Sequence, residues 1–171
     1  MTTALYEDEL LFLAHSVTLE QEAAERLYEL ADTLEVHNNR PLHTLFLELA
    51  QLSERHASDV LAHCQGRQLP ALQAWEYSWP DAESPESFQY SQVHYLMSAE
   101  QALQVALEVE QNTLGFYSDV ARRTTQPSLR QLAEGFAREE SEHVKAVQAR
   151  LQALQCPALN NLDLDPPHSP E

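Results

Sequence analysis

The sequence predicts an all-α fold, a four-helix bundle made of two antiparallel hairpins joined by a long crossover. Three observations predict it. Three glycines in 171 residues, with nine prolines at 41, 70, 80, 85, 127, 157, 166, 167 and 170, leave four long proline-free stretches. Within each stretch apolar residues recur every three or four positions, the spacing of one helix face. The links between the first and second stretches and between the third and fourth are short, which makes each pair a hairpin, whereas about 30 residues separate the second from the third.

The first helix is expected over residues 5–36, with an inward stripe of Leu13, Val17, Glu20, Ala23, Ala24, Leu27, Leu30, Ala31 and Leu34. The second runs over 41–64, with Pro41 in its first turn, where a missing N–H leaves no bond unmade. Its stripe is Leu42, Leu45, Leu49, Ser53, His56 and Val60. Ser98 and Gln101 form a capping box for the third helix, 99–123, whose stripe is Leu103, Ala106, Glu110, Thr113, Leu114, Tyr117 and Ala121. The fourth, 127–154, opens on Pro127 and carries Leu129, Leu132, Phe136, Glu140, His143, Val147 and Leu151. Residues 66–97 hold six of the 13 aromatics, which suits a crossover that runs the length of the bundle and caps an apolar flank. The bundle thus occupies residues 1–156, and 157–171 form a flexible, acidic, proline-rich tail. Gly115 and Gly135 are expected where helices approach closely.

Charge narrows the function. Ten Lys and Arg against 27 Asp and Glu leave −17, and only Lys145 is a lysine, so nucleic acid and anionic membrane are poor partners while metal cations are good ones. The longest apolar runs fall well short of the ~20 residues that span a bilayer. The acidic first residues, unlike a basic targeting segment, point to the cytoplasm. Cys64 and Cys156 form no C-x-x-C pair, and neither has the basic neighbours that would make a nucleophile.

The chemistry lies in the polar residues that interrupt the stripes. Glu20 and Glu110 each stand alone at the middle of an apolar face, as Glu140 with His143 and Ser53 with His56 do on the other two helices. An unpaired buried carboxylate costs several kcal/mol or more, so an interior acid takes up a proton or finds a cation. Three acids and two histidines at one height are most economically shared by a metal, and oxygen and imidazole donors without thiolate suit iron or manganese. A lone Glu-x-x-His match carries no weight, because a composition this rich in Glu and His yields on the order of one by chance. The repeat carries it: a mid-helix acid followed by a histidine pair occurs in both hairpins, which reads as an internal duplication. His15, His37, His43, His63, His94 and His168 read as surface or loop residues, and Tyr28 and Tyr117 as core aromatics.

With these residues placed, the sequence resembles the ferritin-like superfamily and, within it, the rubrerythrin-like branch. The matching stretches are Glu110-Gln-Asn-Thr-Leu-Gly-Phe-Tyr, Leu132-Ala-Glu-Gly-Phe-Ala-Arg-Glu-Glu140-Ser-Glu-His143 and Leu45-Phe-Leu-Glu-Leu-Ala-Gln-Leu-Ser53-Glu-Arg-His56-Ala, with a looser match around Glu20. Such folds hold two metal ions with one Glu from each of two helices and a Glu-x-x-His from each of the others. The resemblance therefore implies metal ligands at Glu20, His56, Glu110, Glu140 and His143, with Glu140 bridging. It implies iron as cofactor, as a di-iron or partly occupied site, with manganese as the other candidate. No catalytic residue distinct from these ligands is expected.

Two positions depart from the family pattern. Ser53 stands where a bridging glutamate is usual, and its neighbour Glu54 lies about 100° round the helix, facing outward. Thr113 occupies a position where some rubrerythrins carry a further glutamate. No rubredoxin-type cysteine module is present, so electrons must come from an external donor protein. The activity implied is oxidation of ferrous iron or reduction of peroxide by a homodimer. The alternative is a non-enzymatic metal-binding or interaction bundle whose di-iron site has degenerated at Ser53.

Overall fold

A computed structural model of the chain describes residues 3–36, 40–72 and 98–155. Among these residues the fold is four α-helices, α1 (Glu9–Val36), α2 (Arg40–His63), α3 (Ala99–Arg123) and α4 (Pro127–Gln155), preceded by a short 3₁₀ turn at Thr3–Tyr6. No helix among them is long and apolar enough to cross a membrane. Most of the expected aromatic crossover, the tail and Cys156 lie outside the described residues.

Helix ends follow local chemistry. The first helix starts at Glu9 rather than at residue 5, because Asp8 stops it there: the backbone N–H groups of Leu10 and Leu11 donate to its Oδ1 at 2.9 and 3.1 Å. The capping box at α3 is present, with Gln101 N–H donating to the Ser98 hydroxyl and Ser98 N–H to the Gln101 side chain. Pro127 is the first residue of α4. After α2 the chain turns through Gln65 and Gly66, both at positive φ, and Arg67 N–H returns to the Cys64 carbonyl at 2.9 Å.

Each hairpin is antiparallel and tightly paired, α1 with α2 and α3 with α4. In the first, His43 Nδ1 lies 2.9 Å from the Ala31 carbonyl near one end, and Arg67 pairs with Glu9 at 2.7 Å near the other. Across the hairpins α2 and α4 also run antiparallel: Arg150 meets Glu48, His56 stacks on His143, and His63 packs edge-on against Phe136. His56 and His143 consequently share one level.

The apolar interior is divided in two. One cluster gathers Phe12, Leu13, Val60, Cys64, Phe116, Tyr117, Val120, Leu129 and Phe136, with Leu5 and Tyr6 of the N-terminal turn; the other gathers Leu27, Leu30, Leu34, Phe46, Leu49, Leu103, Val147 and Leu151. The stripe acids sit between them, at the waist of the bundle.

Three expectations need correction. His15 is not a surface residue: it is 1% exposed, with Nδ1 2.8 Å from the Leu11 carbonyl. Residues 12–17 of α1 are all buried, so this stretch has no wet face from which periodicity could distinguish an inward one. His43 is half-buried rather than exposed, being held against α1. Nor do the helix glycines mark close approach, since a Cβ at Gly115 would meet nothing within 4 Å and one at Gly135 only a distant arginine nitrogen.

Candidate metal centre

The helical phase that makes Leu13, Val17, Ala24 and Leu27 inward-facing makes Glu20 inward-facing too, and the side chain is 3% exposed. Glu140 is equally buried between Phe136 and Val147 on α4. Glu110, His56 and His143 line the same cavity with between 12% and 15% of each side chain exposed. All five residues singled out from the sequence thus meet at the waist.

Their contacts form two similar halves around one carboxylate. Glu140 presents Oε1 to His56 Nδ1 at 3.3 Å and Oε2 to His143 Nδ1 at 3.2 Å. Glu20 lies 3.7 Å from His56 Nδ1, and Glu110 lies 3.4 Å from His143 Nδ1. The imidazoles stack with centroids 4.4 Å apart and planes 23° from parallel. Tyr117, whose ring belongs to the apolar cluster, donates its hydroxyl proton to Glu20 Oε1 at 3.1 Å. That role for Tyr117 is not visible in its own helix; its stripe position announced burial, but its partner is on α1. The corresponding position after Glu20 is Leu27, which lines the cavity and offers no donor.

Ser53 also lines this cavity, and Glu54 does not replace it: Glu54 is exposed and accepts a 2.8 Å hydrogen bond from Tyr28. Thr113 is buried and turned to its own helix, its hydroxyl donating to the Val109 carbonyl at 3.1 Å.

The electrostatics are those of too many acids for the cations present. Burial alone would lower His56 and raise Glu140, but their mutual hydrogen bonds and charges win, so that His56 is pushed up to about 10 and Glu140 down to about 2. His143 is likewise raised to about 9 by Glu110 and Glu140 against the effect of burial. Glu110 has no such surplus of cation; burial and the Glu140 charge push it up to about 7, despite the contact with His143. Glu20 is also raised, by burial first, with His56 and Tyr117 opposing.

This donor set fits an iron or manganese ion. It offers three carboxylates and two imidazoles and no thiolate. Donors bound to one ion at about 2 Å sit about 3 to 4 Å apart, as each histidine nitrogen here lies from its two carboxylate oxygens. His56, Glu140 and His143 each offer an atom within 4.8 Å of the others.

The family model described as Rubrerythrin matches residues 12–153 of this sequence. A solved structure of an uncharacterized conserved protein from Magnetospirillum magnetotacticum MS-1 is 34% identical, with a TM-score of 0.67 over 88% of this chain and 97% of that one. No curated protein matches the sequence closely enough to count as a relative.

Proposed function

Since the chain belongs to the rubrerythrin family of the ferritin-like superfamily, we propose that it is a non-haem iron-binding oxidoreductase that oxidises ferrous iron or reduces peroxide at the waist of its bundle. One observation carries the reading: two Glu–His halves converge from all four helices on the single carboxylate of Glu140, which reaches both histidines. Glu20 with His56 and Glu110 with His143 would each hold one metal position, and Glu140 would span them. Manganese fits the same donors. Bound iron supplies a redox centre that side chains alone do not.

The chain's own residues do the rest. Tyr117 fixes the rotamer of Glu20 through its hydroxyl. Phe12, Phe116 and Phe136 pack around Tyr117 and keep water from that side of the site. In the metal-free protein burial and the Glu140 charge push Glu110 up to about 7, and a metal held there would keep it ionised by displacing that proton. Reduction of peroxide to water takes up two electrons and two protons per turnover, which an external donor protein or ferrous iron itself would supply, whereas in oxidation of ferrous iron the substrate is the electron source. The reading further takes the protein as a cytoplasmic homodimer.

A second reading, a non-enzymatic interaction bundle, is favoured by the ion pairs between Glu140 and the two histidines, which compensate the buried charge without a metal. Elemental analysis of protein purified without chelator separates the two. The enzymatic reading expects at least one iron or manganese per chain. After anaerobic reconstitution with ferrous iron, which serves as the reductant, it also expects one peroxide consumed per two ferrous ions oxidised, at a rate that falls at least about a hundredfold in Glu140→Ala. Metal-free protein that takes up no ferrous or manganous ion and consumes no peroxide establishes the second reading instead.

A further inference from the structure

The centre repeats its donors but not its charge. Glu140 stands three residues before His143, whereas the residue three before His56 is Ser53, which lines the same cavity as Glu20, Glu110 and Glu140. The other residues of the cavity wall, Leu27, Phe46 and Val109 among them, are apolar, and the neighbouring Glu54 is exposed, accepting a hydrogen bond from Tyr28. Three carboxylates are therefore the whole negative charge that lines the cavity. With neutral imidazoles, one divalent cation leaves a single negative charge in excess, and two leave a single positive charge in excess. A second ion thus enters a buried site that already holds a cation and lacks one unit of compensating charge, which a low-dielectric interior strongly resists. A glutamate at position 53 would restore neutrality, and a serine hydroxyl does not.

Distances point the same way. One atom from each of His56, Glu140 and His143 lies within 4.8 Å of the others, and donors on opposite sides of one ion stand about twice a bond length apart, roughly 4.2 Å for bonds of about 2.1 Å. The cavity among these side chains has a volume of about 10 Å³, roughly one water-sized sphere. A pair of ions, about 3.5 to 4 Å apart in two-metal sites, needs more room than that. Resting on the metal-site reading above, we propose that its two positions do not fill alike: Ser53 makes the centre a one-ion site, in which a single divalent cation is shared by His56, Glu140 and His143. A second ion binds at least about a hundredfold more weakly, for want of one carboxylate charge at close range. The two halves of the internal repeat then act as one cage, with Glu20 of α1 and Glu110 of α3 facing it from either side.

The test counts manganous ions. Wild-type protein at neutral pH and constant ionic strength is titrated with Mn(II), and electron paramagnetic resonance reads both the free ion and the spectrum of the bound one. One tight Mn(II) per chain is expected, with the spectrum of an isolated ion. His56→Ala and His143→Ala should each weaken that same ion by at least about tenfold, whereas two separate positions would leave one tight ion in each variant. Ser53→Glu is expected to bind two ions per chain with affinities within about tenfold of each other and to show the exchange-coupled spectrum of neighbouring ions. Ser53→Ala, which changes no charge, should stay at one. Two tight ions in the wild-type protein, or a tight ion that survives unchanged in either histidine variant, overturns this inference and leaves the metal-site reading standing. Absence of any Mn(II) binding overturns both. A folded Ser53→Glu that still binds a single ion overturns the assignment of the count to Ser53, and if that variant does not fold, the wild-type protein and the histidine variants decide the count.

Discussion

Glu140 places one oxygen against each histidine, so protons on His56 and His143 do in the metal-free protein what a metal cation would do in the loaded one. The pH dependence of the two forms should therefore run in opposite directions. His56 and His143, raised to about 10 and 9, contribute stability that is complete below their unfolded value of about 6.5 and is lost as pH rises through the folded values. Glu110 and Glu20, also raised, lose their contributions in the same direction, while Glu140, held at about 2, loses its own only as pH falls toward that value. The melting temperature of metal-free protein is expected to fall from about pH 5 to pH 10. Metal binding needs neutral imidazoles and releases those protons, so the stabilisation by added metal should grow over the same range and vanish in acid. Melting curves at five pH values, with and without Mn(II), check this; a metal effect independent of pH contradicts it. Tyr117→Phe keeps the ring packing and removes the bond to Glu20, and is expected to weaken metal affinity about tenfold with a stability loss near ~1 kcal/mol.

At the scale of the element, helix ends were legible because they are written in local chemistry. Pro127 and the Ser98–Gln101 box placed two starts, and the short link after Arg123 placed a hairpin. The first start was misplaced, because a 3₁₀ turn and an α-helix share much of their residue preference and only the Asp8 cap separates them. The glycines give a prediction with two signs. Gly66 sits at φ 78 with open space where a Cβ would project, so Gly66→Ala should cost about 1 kcal/mol from backbone conformation alone. Gly115, in mid-helix with equally open surroundings, should gain roughly 0.5–1 kcal/mol on replacement by alanine. Chemical denaturation of the two variants measures both, and Ser98→Ala should lose about 1 kcal/mol in the same assay.

For the whole molecule, the metal-site reading makes metal a folding ligand. At a metal concentration about 100 times its dissociation constant the folded state gains ~2.7 kcal/mol, which raises the melting temperature of a chain this size by about 5 to 10 °C. Calorimetry with and without ferrous ion, under nitrogen, reads that shift. Cys64 is buried within the apolar cluster near the end of α2, beyond the level of His56. Its pairing with Cys156 within one chain is not expected, because in the antiparallel α2 and α4 Cys64 and the end of α4 at Gln155 lie on opposite sides of the histidine level. Non-reducing peptide mapping that finds this bridge would contradict the α2/α4 register.

What residue order alone determined here is what depends on neighbours three or four positions away. Glu20, Glu110, Glu140, His56 and His143 could each be placed on an inward face because an α-helix repeats every 3.6 residues and their apolar neighbours mark that face. The repeat in the two hairpins further implied that these faces meet at one level. Which atom meets which was decided only by packing. That Glu140 spans both histidines, that Tyr117 of α3 serves Glu20 of α1, and that Tyr28 of α1 donates to the outward-facing Glu54 of α2 all depend on distances between helices, which no periodicity within one helix encodes. The burial of His15 belongs with them. Periodicity reports a face only where another face is wet, and tertiary enclosure over residues 12–17 of α1 removes that contrast.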